Sequence, residues 1–305
     1  TLKEIREEDP LAYQRDYRQL SAMRQLYINE FAEVPKVRMN FYIYGRGGTG
    51  KGLLSRAIAR AMYPQYEYDD EIFFEIGGKN VGFDGYDGQP VIIWNDVRGD
   101  KLARSLGGAE NLFNVFDITP TNGRVNIKYG SVKLINRIHI MNSSSEYGDF
   151  IEDVFSTTEK EEDYNQLTRR IPFVLPLRYT DFDFLINKGI AEDTNEFSQY
   201  IAYKRFNANM QKLRIAGRGN ERVIREAEQI FLDPIVQKHN EIVEKRTRVD
   251  ENVTVNDILS GLTVDEYKEG SVADFVEQTN AVKIEDKKQN YAVKMKCRNC
   301  GRVFS

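Results

Sequence analysis

The chain has 305 residues, of which 41% are hydrophobic and 30% charged, with a net charge of −4. That is enough chain for a sizeable core and two or three domains, with the composition of an ordinary soluble globular protein. No apolar run approaches the ~20 residues of a membrane span, and the N-terminus lacks a signal-peptide pattern. The acid excess excludes a surface coated everywhere with nucleic-acid contacts, so any such site must be a local basic patch. Cys297 and Cys300 are the only cysteines. They lie too close together to staple a fold, which suits a reducing cytosol. An opening Thr1 reads as the start of a fragment or processed chain.

Residues 1–36 are dense in helix formers, with Leu11, Tyr17, Leu20, Met23, Tyr27 and Phe31 near helical spacing. Pro10 and Pro35 bracket the segment, which the pattern allows to pack as a small helical hairpin. It is too short to own a core, so its apolar face must dock on the next domain or on copies of itself.

From Val37 to about Thr180 the pattern alternates strand and helix. MNFYIY, EIFFEI, PVIIW, RIHIM and IPFVLPL read as buried parallel strands, separated by crossovers. Such an alternation predicts an α/β sheet domain with its ligand site at the carboxyl ends of the strands.

The first strand runs into Gly45, Arg46, Gly47, Gly48, Thr49, Gly50 and Lys51. Gly-x-x-x-x-Gly-Lys fits a phosphate-binding loop: glycines let backbone N–H groups converge on a polyphosphate, and Lys51 adds a point charge. The amphipathic stretch from Gly52 to Met62 supplies the helix whose N-terminus completes the anion site. Gly52 stands where Ser or Thr normally places a hydroxyl on Mg²⁺.

Next, PVIIWND is an apolar strand that delivers Asn95 and Asp96 at its end, the shape that sets a carboxylate beside the Mg²⁺ of a nucleotide. Asp96 is the candidate ligand, and Asn95 cannot carry negative charge. RIHIMN ends likewise in Asn142, a candidate for holding the attacking water. Between these strands, Gly123–Arg137 carries Arg124, Lys128, Lys133 and Arg137 without an acid. Its Lys128-Tyr129-Gly130 centre predicts a β-hairpin whose tip meets phosphates, with Tyr129 packing on a sugar or base. Arg169 and Arg170 precede the last strand; they either pair with Glu161, Glu162 or Asp163, or one of them reaches a neighbouring subunit's γ-phosphate.

Beyond Thr180, Glu196–Ala216 and Glu221–Lys245 read as two helices joined at Gly217-Arg218-Gly219, and Thr263-x-x-Glu266 as a capping box. Asn290–Ser305 alternates as a strand does. Cys297-x-x-Cys300 has the shape of half a zinc knuckle, a Zn²⁺ site only if further ligands complete it and otherwise two free thiols.

The run Gly82-Phe83-Asp84-Gly85-Tyr86-Asp87-Gly88-Gln89, then PVIIWND, VNIKYGSV and IHIMNSS, resembles the helicase part of rolling-circle replication initiators. These are the Rep proteins of small circular single-stranded DNA (CRESS) viruses and their bacterial plasmid relatives, of helicase superfamily 3. A W-(W/F)-D-G-Y-x-G segment and a K-G-G-S-V-like hairpin stand there in the same order. The resemblance covers roughly residues 37–180. It implies an AAA+-like P-loop NTPase with a three-layer α/β sandwich, working as an ATP-driven 3′-to-5′ DNA helicase in a hexameric ring. ATP or ADP with Mg²⁺ would be the cofactor, single-stranded DNA the partner, and the cytoplasm (bacterial, if plasmid-encoded) the location.

Carried over by position, Lys51 and the loop Gly45–Gly52 bind phosphates, Asp96 holds the metal, and Asn142 is the sensor. Lys128, with Arg124, Tyr129 and Lys133, grips DNA, and Arg169 or Arg170 is the trans-acting finger. Family members carry an N-terminal nicking nuclease with a His-hydrophobic-His motif. Here His139 and His239 are isolated, so that nuclease is expected upstream of this chain. The expected division is a helical oligomerisation segment at 1–36, the ATPase domain at 37–185 and a mostly helical region at 186–305. Gly52 and Asn95 keep open a weakly hydrolysing, DNA-binding oligomerisation module. A superfamily 3 helicase of an RNA virus is the third reading.

Overall fold

The structure is a computed structural model that describes residues 7–77, 82–121, 123–127, 130–157, 164–216 and 220–248, with the pairs 295–296 and 303–304. It divides into two compact units, Thr1–Arg248 and Val249–Ser305.

The first unit opens with α1 (Pro10–Phe31), one continuous helix rather than a hairpin. Asp9 caps it by accepting from the Ala12 amide at 2.9 Å, and Pro10 takes the first-turn position where its missing N–H costs nothing. Then come β1 (Met39–Tyr44), α2 (Lys51–Met62), α3 (Asp69–Ile72), β2 (Phe73–Ile76) and β3 (Val91–Trp94). Helices α4 (Gly99–Ser105) and α5 (Ala109–Val115) lead to the hairpin β4 (Arg124–Ile127) and β5 (Gly130–Lys133), and then to β6 (Ile138–Ser143). The unit continues through α6 (Tyr147–Phe155), α7 (Asn165–Thr168), β7 (Phe173–Pro176) and β8 (Phe182–Asn187). It ends with α8 (Lys188–Glu192), β9 (Tyr200–Phe206), α9 (Met210–Ala216) and α10 (Glu221–Thr247).

Seven strands form one sheet in the order β2-β3-β6-β1-β7-β8-β9. The five expected from apolar runs are mutually parallel, and β8 and β9 extend them antiparallel. Period-two alternation sends Phe41, Ile43, Ile93, Ile140 and Phe173 into one core with α2 and α10. Tyr42, Ile92, Trp94, Met141 and Val174 face the opposite core with α4, α5 and α6. The result is the expected three-layer α/β sandwich. Its crossovers place β6 between β1 and β3, so the ends of three strands meet.

Two expectations about the C-terminal region change. Glu196–Ala216 is not one helix: Tyr200–Phe206 pairs with β8, and only Met210–Ala216 is helical. Strand-favouring Tyr200, Ile201, Tyr203 and Phe206 override the helical reading, and Phe206 stacks on Phe182 at 4.8 Å. Position 185 lies inside β8, and the chain stays within the first unit to Arg248. There α10 is tied to α2 by Arg60, which donates to Glu228 at 3.0 Å and to Asp69 at 3.0 Å. In the second unit, β10 (Met295–Lys296) pairs antiparallel with β11 (Val303–Phe304). Cys297, Cys300 and the Thr263–Glu266 capping box lie outside the described residues.

Two buried polar clusters hold the far side of the sheet. Arg38 donates to the carbonyls of Asn136, Val115 and Leu134 at 3.0–3.1 Å, and burial lowers its pKa to about 10, so it stays charged. His139 accepts from Trp94 Nε1 at 3.0 Å, which fixes the proton on Nε2 and directs it at Val115 O, 3.1 Å away. The expected core placement of His139 agrees with this. His239, on α10, is buried too, stacked on Phe41 at 6.2 Å.

Candidate functional site

The loop after β1 is shaped by backbone that only glycine adopts readily. Gly50, the N-cap of α2, has φ 98°, and an added Cβ would lie 2.9 Å from Met210 Cβ. At Gly45 a Cβ would collide with Leu177 O, so the loop leaves the sheet pressed against the residue that follows β7. Thr49 is buried and donates to Arg46 O at 2.9 Å, while Lys51 Nζ donates to Gly45 O at 2.9 Å and Arg46 O at 3.1 Å. Cβ atoms at Gly47 and Gly52 would meet nothing within 4 Å, so this face of the loop and of the first turn of α2 is open. An open glycine loop ending in a helix N-terminus and a lysine fits a polyphosphate.

Asp96 faces that cradle. It follows β3 with φ 52°, a left-handed conformation that Asp tolerates better than most residues and that clusters at functional sites. The turn is pinned on both sides by Asn95 N on Ile76 O at 2.7 Å and Val97 N on Asn142 O at 2.9 Å. Burial lowers the pKa of the Lys51 ammonium, and the Asp96 carboxylate acts in the opposite sense.

Asn142 lies at the end of β6, in register with Ile43 of β1. Its Oδ1 accepts from Ser55 Oγ on α2, and its Nδ2 donates to Asn95 Oδ1 at 2.9 Å. Asn95 Nδ2 in turn donates to Glu75 Oε2 on β2 at 3.2 Å, and Glu75 is held by Arg56 at 2.6 Å. Ser55, Arg56 and Glu75 were absent from the sequence reading. The legible signal was Glu75 itself, a carboxylate interrupting the apolar stretch from Ile72 to Ile76.

The other named residues divide. Arg170 is buried, donates to Phe113 O at 2.9 Å and to Gln166 O, and lies over the Phe113 ring at 5.1 Å. Arg170 is thus engaged within its own subunit. Arg169 is exposed. Lys133 also turns inward, its Nζ donating to Ala32 O, because α1 lies along the hairpin. Arg124 is exposed at the hairpin base; Lys128 and Tyr129 lie outside the described residues.

Of the donors that Mg²⁺ requires, the described residues offer the Asp96 carboxylate. Gly52 has no hydroxyl, and Thr49 Oγ1 and Ser55 Oγ are engaged. Mg²⁺ keeps several waters and shares phosphate oxygens, so one carboxylate fits it. For Zn²⁺ no support exists: no group of three or more His, Cys, Asp or Glu could hold a metal among the described residues.

The segment Gly82–Gln89 is anchored by two aromatic residues: Phe83 stacks edge-on to Trp94 at 5.5 Å, and Tyr86 is buried. Helix α1 docks on it by polar groups, with Arg24 donating to Asp87 O at 2.9 Å and Gln25 to Tyr86 O at 2.6 Å. The outer face of α1 leaves Leu11, Met23, Leu26, Tyr27 and Phe31 exposed by 62–78%.

The family model described as RNA helicase, a superfamily 3 helicase domain family, matches residues 41–135, from β1 through the hairpin. Among solved structures, the S. cerevisiae Hsp104–ADP complex is similar over 52% of this chain, at 14% identity and a TM-score of 0.29. The chain spans 32% of the length of that chain. No curated protein matches it. Among the described residues no helix is long and apolar enough to cross a membrane.

Proposed function

We propose that the chain is an ATP-driven helicase module of the superfamily 3 type, from a rolling-circle replication initiator, working on single-stranded DNA in a ring of identical subunits. One observation carries the reading: the glycine loop, Asp96 and Asn142 converge at the ends of three adjacent parallel strands, β1, β3 and β6. In this reading ATP lies along Gly45–Gly50, with Lys51 on its terminal phosphates. Asp96 holds Mg²⁺, which neutralises phosphate charge, and Asn142 presents its amide to the γ-phosphate or the attacking water.

The ring supplies what one subunit lacks. Arg169, exposed ahead of β7, is the arginine that touches the neighbour's nucleotide. The apolar outer face of α1 is buried between subunits, which supports the oligomerisation role read for residues 1–36. The β4–β5 hairpin, with Lys128 and Tyr129 between its strands, grips the strand in the channel, and hydrolysis moves the hairpins along it.

The family description favours a second reading, in which the strand is RNA. Steady-state ATPase measured alone and with single-stranded DNA or RNA separates the readings. Stimulation by DNA, with an affinity that falls steeply in salt, is expected. Stimulation by RNA only gives the second reading, and nucleotide binding without turnover gives a DNA-binding oligomerisation module instead.

A further inference from the structure

Glu75 sits on β2, at the sheet edge, in register with Ile93, two positions ahead of Asn95. Alternation turns Phe73 and Glu75, Val91, Ile93 and Asn95, and Ile140 and Asn142 towards the α2 face of the sheet. The Asn95 and Asn142 amides and the Glu75 carboxylate then bond in a row, ending at Ser55 of α2.

The polarity of that row has a single source. A carboxylate only accepts, so Glu75 forces Asn95 to present Nδ2 to it and therefore Oδ1 to Asn142. Asn142 must answer with Nδ2, which leaves its Oδ1 for the Ser55 hydroxyl. Each asparagine would otherwise be free to flip, because an amide is nearly symmetric in shape. With both amide nitrogens committed inward by one hydrogen, the second hydrogen of Asn142 Nδ2 remains a donor for an anion. Arg56 holds the carboxylate by two bonds, 2.6 Å from Nε and 3.0 Å from Nη2.

We propose that Glu75 is a positioning residue for hydrolysis: from the neighbouring strand it supplies the carboxylate that Asn95 lacks, and it locks Asn142 with its N–H donor towards the γ-phosphate. This rests on the reading of Lys51, Asp96 and Asn142 as a nucleotide site. It also makes Asn95 an intermediary rather than a lost acid.

The test uses the full chain as wild type, E75A, E75Q and E75A/N95D, each checked by thermal melting. Affinity for a fluorescent ADP analogue is measured separately from kcat for ATP. E75A is expected to bind ADP within about twofold of wild type and to lose about tenfold or more in kcat. E75Q, whose amide can accept or donate, falls between. In E75A/N95D a carboxylate accepts directly from Asn142, so kcat returns to within about threefold of wild type.

Wild-type kcat in E75A, or a loss that N95D does not restore, overturns the role of Glu75 and leaves nucleotide binding standing. A wild type that binds ADP without turning over ATP also overturns it. A wild type that binds no nucleotide removes the site reading and the proposal together.

Discussion

Asn142 Nδ2 donates to Asn95 Oδ1 across 2.9 Å, joining the ends of β6 and β3 directly beside the glycine loop. Asn95 follows the wholly apolar, buried β3, and Asn142 lies in the buried β6, so each amide is a polar group that must be satisfied by a partner. Replacing Asn142 by Ala should lower kcat by about 10²-fold, in the range seen when one preorganised donor is removed, with nucleotide affinity little changed. Stopped-time ATPase assays alongside nucleotide titration check this. A fall in affinity with kcat intact would make Asn142 a ground-state contact.

Gly52 is glycine without steric need, since an added Cβ would meet nothing within 4 Å. Gly52→Ser should therefore fit. It should stabilise α2 by about 0.5 kcal/mol through helix propensity, and it offers the hydroxyl that this loop usually aims at Mg²⁺. The expected outcome is a lower Mg²⁺ requirement for turnover, read from ATPase rate against free Mg²⁺. An unchanged Mg²⁺ dependence would show that the metal does not approach the first turn of α2.

Acid should destabilise the fold through two buried histidines. Burial drives the pKa of His139 well below its ordinary value and that of His239 down to about 4. Both folded-state values are depressed, so the unfolded chain binds the extra protons and stability rises with pH. The contribution is complete above the unfolded value of about 6.5 and is lost as pH falls from there towards 4. For His239 the full span is about 3 kcal/mol. Urea unfolding at pH 7 and pH 5 should show the loss, and His239→Phe should make it smaller. Equal loss in the variant would assign the acid sensitivity to other groups.

If Arg169 completes a neighbour's site, two dead chains should make one live interface. Lys51→Ala lacks a cradle but keeps the arginine, and Arg169→Ala has the reverse. Each alone should be inactive. Mixed, they should recover a fraction of wild-type ATPase, because some interfaces pair an intact cradle with an intact arginine. No recovery in mixtures shown to co-assemble would place the finger elsewhere.

Much of this was legible in the chain. The five parallel strands announced themselves as short runs of Ile, Val, Phe and Tyr, and the Gly45–Lys51 spacing marked the cradle, because both signals are local. What stayed hidden depends on which strands become neighbours. Glu75 reaches Asn95 only because β2 lies beside β3, and Ser55 reaches Asn142 only because α2 covers the end of β6. Tyr200–Phe206 was hidden for the same reason: its pairing with β8 outweighs the helix-forming residues that follow. Burial also separated Arg169 from Arg170, a distinction that two adjacent identical residues cannot show in sequence.

The most direct measurement is equilibrium binding of a fluorescent ATP analogue to wild type and to Lys51→Ala, with melting temperatures recorded for both. Saturable binding to wild type, together with loss of about 10²-fold or more in affinity in a folded Lys51→Ala, is the predicted result. Equal affinity in the two proteins, or none in either, would contradict a phosphate cradle at Gly45–Lys51 and the motor built on it.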